Sequence, residues 1–404
     1  MNDTIAKRDQ LSEILGFLID ELDIPESKYR EAEDRYKSVG EWLERPSSKV
    51  RLYSPVVYVQ GSFRLGTVIK QVNSDGEYDI DAVCVIDLKT SQCSQQQLKL
   101  LIGREIMAYA RARAMKKPAK EGRRCWTLKY ADDSHFHMDV LPAIPNAQGF
   151  RILLETKGVK SDWTCGAIAI TDNTRPDYED LNAIWPVSNP KGYSDWFRSR
   201  MRDSASNIYK QTALLMEQFA RVEDVPTFML KTPLQRVVQI LKHHRDSIYG
   251  DDGDKPISII IATLAAHAYN NEGDLLTALI NIVPRMLDKI EDRDSILWIE
   301  NPVNPLENFA DKWTEHPERK RKFYEWHAAI SKGLNLFLDS LPGLQHMNEG
   351  LVEIAGEDVA NRTMKRYGTS ILDARENGTL KAAVGTATLG TTGTPVKGHT
   401  FYGT

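Results

Sequence analysis

The chain has 404 residues, 41% of them hydrophobic, enough for two domains or for one bilobed unit with a cleft in which chemistry is expected. A formal charge of −4 excludes a protein drawn as a whole to duplex DNA or tRNA and leaves only a local basic groove. Four scattered cysteines (Cys84, Cys93, Cys125 and Cys165) offer neither zinc-module spacing nor a disulfide framework. No apolar run reaches the length of a membrane span and the first residues lack a signal-peptide core, so a cytoplasmic protein without a membrane partner is expected.

In chain order, Leu11, Ile14, Leu15, Leu18, Ile19 and Leu22 recur at helical spacing. After Pro25 a second helix carries the stripe Tyr29, Ala32, Tyr36, Val39 and Leu43. A strand near 56–60 runs into Gly61-Ser62, a second strand near 78–86 follows, and a helix covers about 94–115. Residues 124–130 and 135–141 read as two further strands, completing an α+β half built on one mixed, mostly antiparallel sheet. From about 201 to 375 the pattern is helical, with helices near 205–222, 232–248, 257–270, 274–291 and 315–340. Thr232-Pro233-Leu234-Gln235 marks one helix start through its capping threonine, first-turn proline and third-position glutamine. Residues 376–404 are rich in Gly, Thr and Ala and read as a flexible tail. The expected division is thus 1–200, 201–375 and 376–404.

Strand side chains alternate faces, so Asp79 and Asp81 point one way while Ile80, Ala82 and Cys84 point the other. Two like charges side by side call for a cation, and the phosphate-sized Gly-Ser turn upstream makes a magnesium site handling a nucleoside triphosphate the economical reading. Asp139, set among the apolar residues Phe136, Met138 and Val140, supplies a third carboxylate. Three carboxylates suit two metal ions that hold the attacking and leaving oxygens of phosphoryl or nucleotidyl transfer, and manganese can replace magnesium at such oxygen-rich sites. Taken singly, the aspartates would be solvated edge-strand charges; their order on these elements argues otherwise.

The segment Gly61–Gly66 is not a P-loop, because Thr67-Val68 follow where Lys and Ser or Thr are required. It reads as a turn opening a short helix, where Gly61 allows close approach and Ser62 offers its hydroxyl and amide to phosphates. Gln60 either supports that turn or merely ends the strand, and Arg64 reads as a surface residue. His135 and His137 are not expected to be ligands, since magnesium prefers oxygen; His137 should pack as a neutral ring near the sheet. Trp163, Trp185, Tyr193 and Trp196 read as packing aromatics.

Gly-Ser, Asp-x-Asp and a later strand aspartate resemble the signature of the DNA polymerase beta-like nucleotidyltransferases. Asp139-Val140-Leu141-Pro142-Ala143, Ser188-Asn189-Pro190-Lys191-Gly192-Tyr193, Pro233-Leu234-Gln235-Arg236 with Lys242-His243-His244-Arg245-Asp246, and Asn301-Pro302-Val303-Asn304-Pro305 narrow the likeness. They resemble the bacterial cGAS-like CD-NTases, cyclic oligonucleotide synthases of anti-phage CBASS operons, from about residue 40 to about 330.

The resemblance implies a polymerase beta-like lobe and a helical lobe with the active site between them. It implies that Asp79, Asp81 and Asp139 coordinate two Mg²⁺ ions, with Asp139 beside the attacking ribose hydroxyl. The implied activity joins NTPs, ATP or GTP among them, into a cyclic di- or trinucleotide with release of pyrophosphate and without a template. Lys242 and Ser258 fall where related enzymes hold the donor phosphates, although alone they read as a solvated helix lysine and a residue near a helix start. No zinc insertion or basic face is present, so no duplex DNA activator is expected. The tail, with Phe401-Tyr402 near its end, has the form of a segment docked or conjugated to a CBASS protein partner. An RNA-tailing or acceptor-modifying enzyme of the same superfamily, and a non-catalytic nucleotide-binding scaffold, stand as the alternatives.

Overall fold

The structure is a computed structural model that describes residues 2–72, 78–130, 136–159, 162–206, 231–339, 344–382, 389–390 and 394–396. The helix expected near 205–222, His135, and Phe401-Tyr402 of the tail fall outside these residues or nearly so.

Two helices open the chain, α1 (Asn2–Leu22) and α2 (Glu26–Glu44), with Pro25 capping the second rather than lying within it. The first half continues with β1 (Val56–Val59), α3 (Gly61–Leu65), β2 (Tyr78–Val85) and α4 (Gln95–Ala112). Next come β3 (Lys120–Glu121), β4 (Trp126–Lys129), β5 (Phe136–Pro145), α5 (Ala147–Thr156), β6 (Ile168–Ile170), β7 (Val187–Ser188) and α6 (Pro190–Arg200). Ser94 starts α4 with a full capping box, its hydroxyl accepting from Gln97 N–H while the Gln97 side chain accepts from Ser94 N–H.

The strands form one sheet in the order β1-β2-β5-β4-β3, with β6 on β5 and β7 on β6. Only the β2–β5 pair is parallel, so the sheet is mixed and mostly antiparallel, as expected. One face is apolar: Ile80, Ala82, Cys84, Met138 and Val140 pack on Leu98, Ile102 and Ile106 of α4 and Val39 and Leu43 of α2. Burying that face leaves the alternate residues, Asp79, Asp81 and Asp139, on the other.

The second half contains α7 (Pro233–Tyr249), α8 (Ser258–Ala268), α9 (Leu275–Arg285), α10 (Pro317–Asp339), α11 (Leu344–Ala355) and α12 (Glu357–Glu376). Thr232 and Gln235 form the capping box read from the sequence. The long helix expected over 274–291 is shorter, because Pro284 and a 3₁₀ turn end it and two hairpins follow. The first pairs β8 (Glu291–Arg293) with β9 (Ile296–Trp298), and the second pairs β10 (Glu300–Asn301) with β11 (Asn304–Asn308).

The helical core extends beyond the 201–375 segment. The apolar stripe of α1 and the Tyr193, Trp196 and Phe197 side of α6 are buried together with α7 to α12. A helical stripe states that a helix must be covered, not by which partner. The terminal segment is not wholly without structure: β12 (Lys381–Ala382) pairs with β13 (Leu389–Gly390) and β14 (Thr394–Pro395), and Leu380 beside them is buried. No helix of the described residues is long and apolar enough to cross a membrane.

Candidate active site

The strand register builds the acidic centre. In the parallel β2–β5 pair Asp81 stands opposite Asp139 and Asp79 opposite His137. Period two then places all three carboxylates on the face away from α4. Burial, then Asp79 and then Asp139, push the Asp81 carboxyl well above the usual carboxylate range, with His137 and Lys242 working against them. Asp81 is thus a buried carboxyl flanked by two others, with His137 and Lys242 as its opposing groups.

Each outer carboxylate is oriented by a neighbour. His137 Nε2 lies 3.1 Å from Asp79 Oδ1, so the ring packs beside the sheet as expected but also touches the acid. Thr127, opposite Asp139 on β4, donates its hydroxyl to Asp139 Oδ1 at 2.5 Å. Burial first, and then Asp139, push the Cys125 thiol up to about 12.

The Gly-Ser turn is fitted to this centre through its backbone. Gln60 N–H donates to the Asp81 carbonyl at 2.7 Å, which carries the β1–β2 ladder to its last residue. Gly61 then adopts φ +62°, and a Cβ at that position would collide with Asp81 Oδ2. Only glycine accepts this conformation without strain and also leaves that space. Gly66 closes α3 in the same left-handed region at φ +68°.

The helical lobe grips the turn from the opposite side. Along α7, Gln235 Nε2 donates to the Leu65 carbonyl (2.8 Å), Gln239 Nε2 to Val68 (2.6 Å) and Lys242 Nζ to Thr67 (2.9 Å). These side chains lie on one helix face at i, i+4 and i+7. Lys242 is buried, which corrects its reading as a solvated helix residue. Burial first, then Arg245, bring its ammonium down to about 7, while Asp246 and Asp81 act to raise it.

A cleft of about 370 Å³ joins these parts: Gly61, Ser62, Asp79, Asp81, Lys242 and Ser258 all line it. Six of the eight expected site residues are thus brought to one cavity. Asp139 borders the same centre through its register with Asp81, and Gln60 contributes through its backbone without lining the cleft. Ser258 is the first residue of α8, not its cap, which is Ile257. Arg64 is half-buried with its guanidinium over the Tyr58 ring, which corrects its reading as a surface residue.

Arg245, Asp246 and Lys255 also line the cleft and were given no role from the sequence. The signal available was a lysine followed at i+3 and i+4 by an arginine and an aspartate, which share one side of a helix.

Among the described residues, no three acidic, histidine or cysteine side chains close on a single point to form a finished metal cage. Asp79 is turned to His137 and Asp139 to Thr127. That arrangement fits magnesium, which is commonly bound by one or two carboxylates together with substrate phosphates rather than by an all-protein cage. The observation that fits a divalent cation here is the register that sets Asp81 opposite Asp139, with Asp79 on the same strand face.

A sheet face with three strand aspartates, a glycine turn packed on one of them and a facing buried lysine define a nucleotidyltransferase. Residues 55–142 match the family model described as the Cyclic GMP-AMP synthase DncV-like nucleotidyltransferase domain. The chain is 28% identical over 324 residues to a c-di-GMP synthase of Roseivirga ehrenbergii, covering 79% of this chain and 77% of that one. It is 24% identical over 376 residues to the cyclic dinucleotide synthase CdnG of Bradyrhizobium diazoefficiens, covering 89% and 83%. The solved structure of the CD-NTase CdnG from Bradyrhizobium diazoefficiens in complex with GTP superposes with a TM-score of 0.66, covering 89% of this chain and 100% of that one at 24% identity. The chain therefore shares the fold of the CD-NTases, and its residues 55–142 are similar to a DncV-like nucleotidyltransferase domain.

Proposed function

We propose that the chain joins nucleoside triphosphates into a cyclic dinucleotide, with ATP and GTP as the candidate substrates and Mg²⁺ as the metal. The observation that carries this reading is the fit of Gly61 against Asp81, which sets the Gly-Ser turn against a centre of three strand carboxylates. The relatives named as cyclic dinucleotide synthases supply the ring as the product class.

In this reaction a ribose hydroxyl of one nucleotide forms a bond to the α-phosphorus of another, the bond to the β-phosphate breaks, and pyrophosphate leaves. The hydroxyl proton passes to solvent or to a nearby base. A second transfer of the same kind closes the ring and releases a second pyrophosphate. Asp79, Asp81 and Asp139 would hold the divalent metal, whose chemistry is to neutralise charge on the phosphate oxygens and to favour the ionised hydroxyl. Ser62 and the first amides of α3 would receive the terminal phosphates, and Lys242 would add its positive charge from the facing lobe.

A cytoplasmic role in CBASS signalling and a protein partner for the C-terminal segment belong to the same proposal. The test of the chemistry is incubation of the purified protein with Mg²⁺ and labelled ATP, GTP, CTP and UTP in pairs, followed by phosphatase. A labelled product that phosphatase leaves unchanged in wild type and that is absent with Asp81→Asn supports the ring. A product from which phosphatase strips terminal phosphate, whether a linear dinucleotide or extended RNA, overturns it.

A further inference from the structure

The wall of the cleft facing the aspartates has an internal order. On α7, Arg245 and Asp246 follow Lys242 by about one turn. Arg245 Nε and Nη2 donate to Asp246 Oδ1 and Oδ2, each at 2.8 Å, a two-pronged pair between adjacent residues. Asp246 also accepts from Lys255 Nζ at 2.8 Å, and Lys255 in turn donates to the Gly250 carbonyl at 2.6 Å. The remaining Arg245 nitrogen, Nη1, donates to the Pro256 carbonyl at 3.1 Å and to Ser258 Oγ at 2.8 Å.

Two consequences follow from donor and acceptor counting. Four of the five guanidinium N–H groups are engaged by Asp246, Pro256 and Ser258, which fixes the plane of Arg245 and ties it to Ser258 on the cavity wall. A serine hydroxyl has one proton and two lone pairs, and one lone pair of Ser258 is occupied by Arg245, so its O–H turns away from the guanidinium. Ser258 is exposed where it lines the cleft, and it is the first residue of α8, whose leading amides have no intrahelical acceptor and favour negative charge. With Lys242 beside it, this part of the wall presents donors to an acceptor-only ligand. A triphosphate is such a ligand.

We propose that Arg245, clamped by Asp246, is a positioning residue that fixes Ser258 as a hydrogen-bond donor to the nucleotide's phosphates. The inference rests on the reading of this cleft as the nucleotide site. It predicts that Ser258 and Arg245 act as one unit and that their effect is the same whichever base the nucleotide carries.

The test is calorimetric binding of non-hydrolysable ATP and GTP analogues with Mg²⁺ to the full chain, with thermal unfolding recorded in parallel. Ser258→Ala and Arg245→Lys should each weaken binding on the order of 10-fold, as expected for a lost hydrogen bond to a charged group. The double variant should be no weaker than either alone, and ATP and GTP analogues should lose equally. Asp246→Asn, which keeps Arg245 but loosens its clamp, should weaken binding in the same direction and have no further effect in a Ser258→Ala background. It reads the same coupling should Arg245→Lys not fold. The proposal is overturned if losses multiply in the double variants, if Arg245→Lys lowers only the melting temperature, or if one base is affected much more than the other. A wild-type chain that binds neither analogue would instead remove the nucleotide reading of the cleft.

Discussion

Gly61 lies against Asp81 so closely that a Cβ on the glycine would overlap the Asp81 carboxylate, while the neighbouring Gln60 N–H holds the Asp81 carbonyl at 2.7 Å. The Gly-Ser turn and Asp81 are thus one mechanical unit, and displacing either moves the other.

Gly61→Ala should therefore damage catalysis more than stability. The left-handed φ costs a non-glycine residue about 1–2 kcal/mol, and the collision with Asp81 must be relieved by moving the carboxylate. The expected outcome is a fall in turnover of at least about 100-fold with a melting temperature only a few degrees lower, a displacement effect of the size that misplaced groups produce. Steady-state kinetics and thermal unfolding of the purified variant check both parts.

Asp139 and Thr127 separate charge from orientation. Asp139→Asn removes a carboxylate from the proposed metal-binding set and should reduce turnover by at least about 1,000-fold, in keeping with the several kcal/mol a catalytic metal supplies. Thr127→Val leaves the charge and removes only the 2.5 Å hydrogen bond to Asp139. It should cost on the order of 10-fold and show a raised metal requirement in an Mg²⁺ titration of activity.

Lys242 is buried, with its ammonium brought down to about 7 by burial and then by Arg245. Lys242→Met keeps the stem volume and removes the donor to the Thr67 carbonyl. Nucleotide KM should rise at least about 10-fold, since a charge-assisted contact is lost. Thermal stability should change little, because relief of a buried charge offsets the lost hydrogen bond.

Acid stability should report His244. Its ring is buried beside Trp326, with no hydrogen-bond partner on either nitrogen among the described residues. Burial first, then His243, bring it from 6.5 down to about 4. The unfolded chain takes up the proton first, so the neutral ring contributes its full stability above pH 6.5. That contribution is lost as pH falls from 6.5 to about 4, by about 3 kcal/mol at most. Chemical denaturation at pH 7.5 and 5 should show the decline in wild type, and His244→Phe should make it shallower, the remainder coming from His267 and His243, which burial also lowers. An equally steep decline in the variant would assign the acid sensitivity elsewhere.

The residues that were legible in the sequence share one property: their roles follow from local spacing. Period two put Asp79 and Asp81 on one side of a strand, and the capping pattern at Thr232 and Gln235 fixed the start of α7. What crosses the chain was not legible. The register that sets Asp81 opposite Asp139, the grip of Gln235, Gln239 and Lys242 on the 65–68 carbonyls, and the packing of α1 with the helical lobe depend on contacts between distant segments. The hairpins of residues 291–308 carry no strand signal in the sequence, because their strands are two to five residues long and mostly polar, too short for period two to declare itself. Helices α11 and α12 were passed over next to a terminal segment whose composition suggested a tail.

The central claim, that two transfers at the Asp79–Asp81–Asp139 centre close a ring, is tested most directly by counting pyrophosphate. Each NTP built into a cyclic product loses its pyrophosphate, whereas a linear dinucleotide keeps one triphosphate end. Wild-type protein with Mg²⁺ should release one pyrophosphate for every nucleotide incorporated and yield a product whose mass carries no terminal phosphate. One pyrophosphate for every two nucleotides, with a 5′-triphosphate retained on the product, would contradict the account.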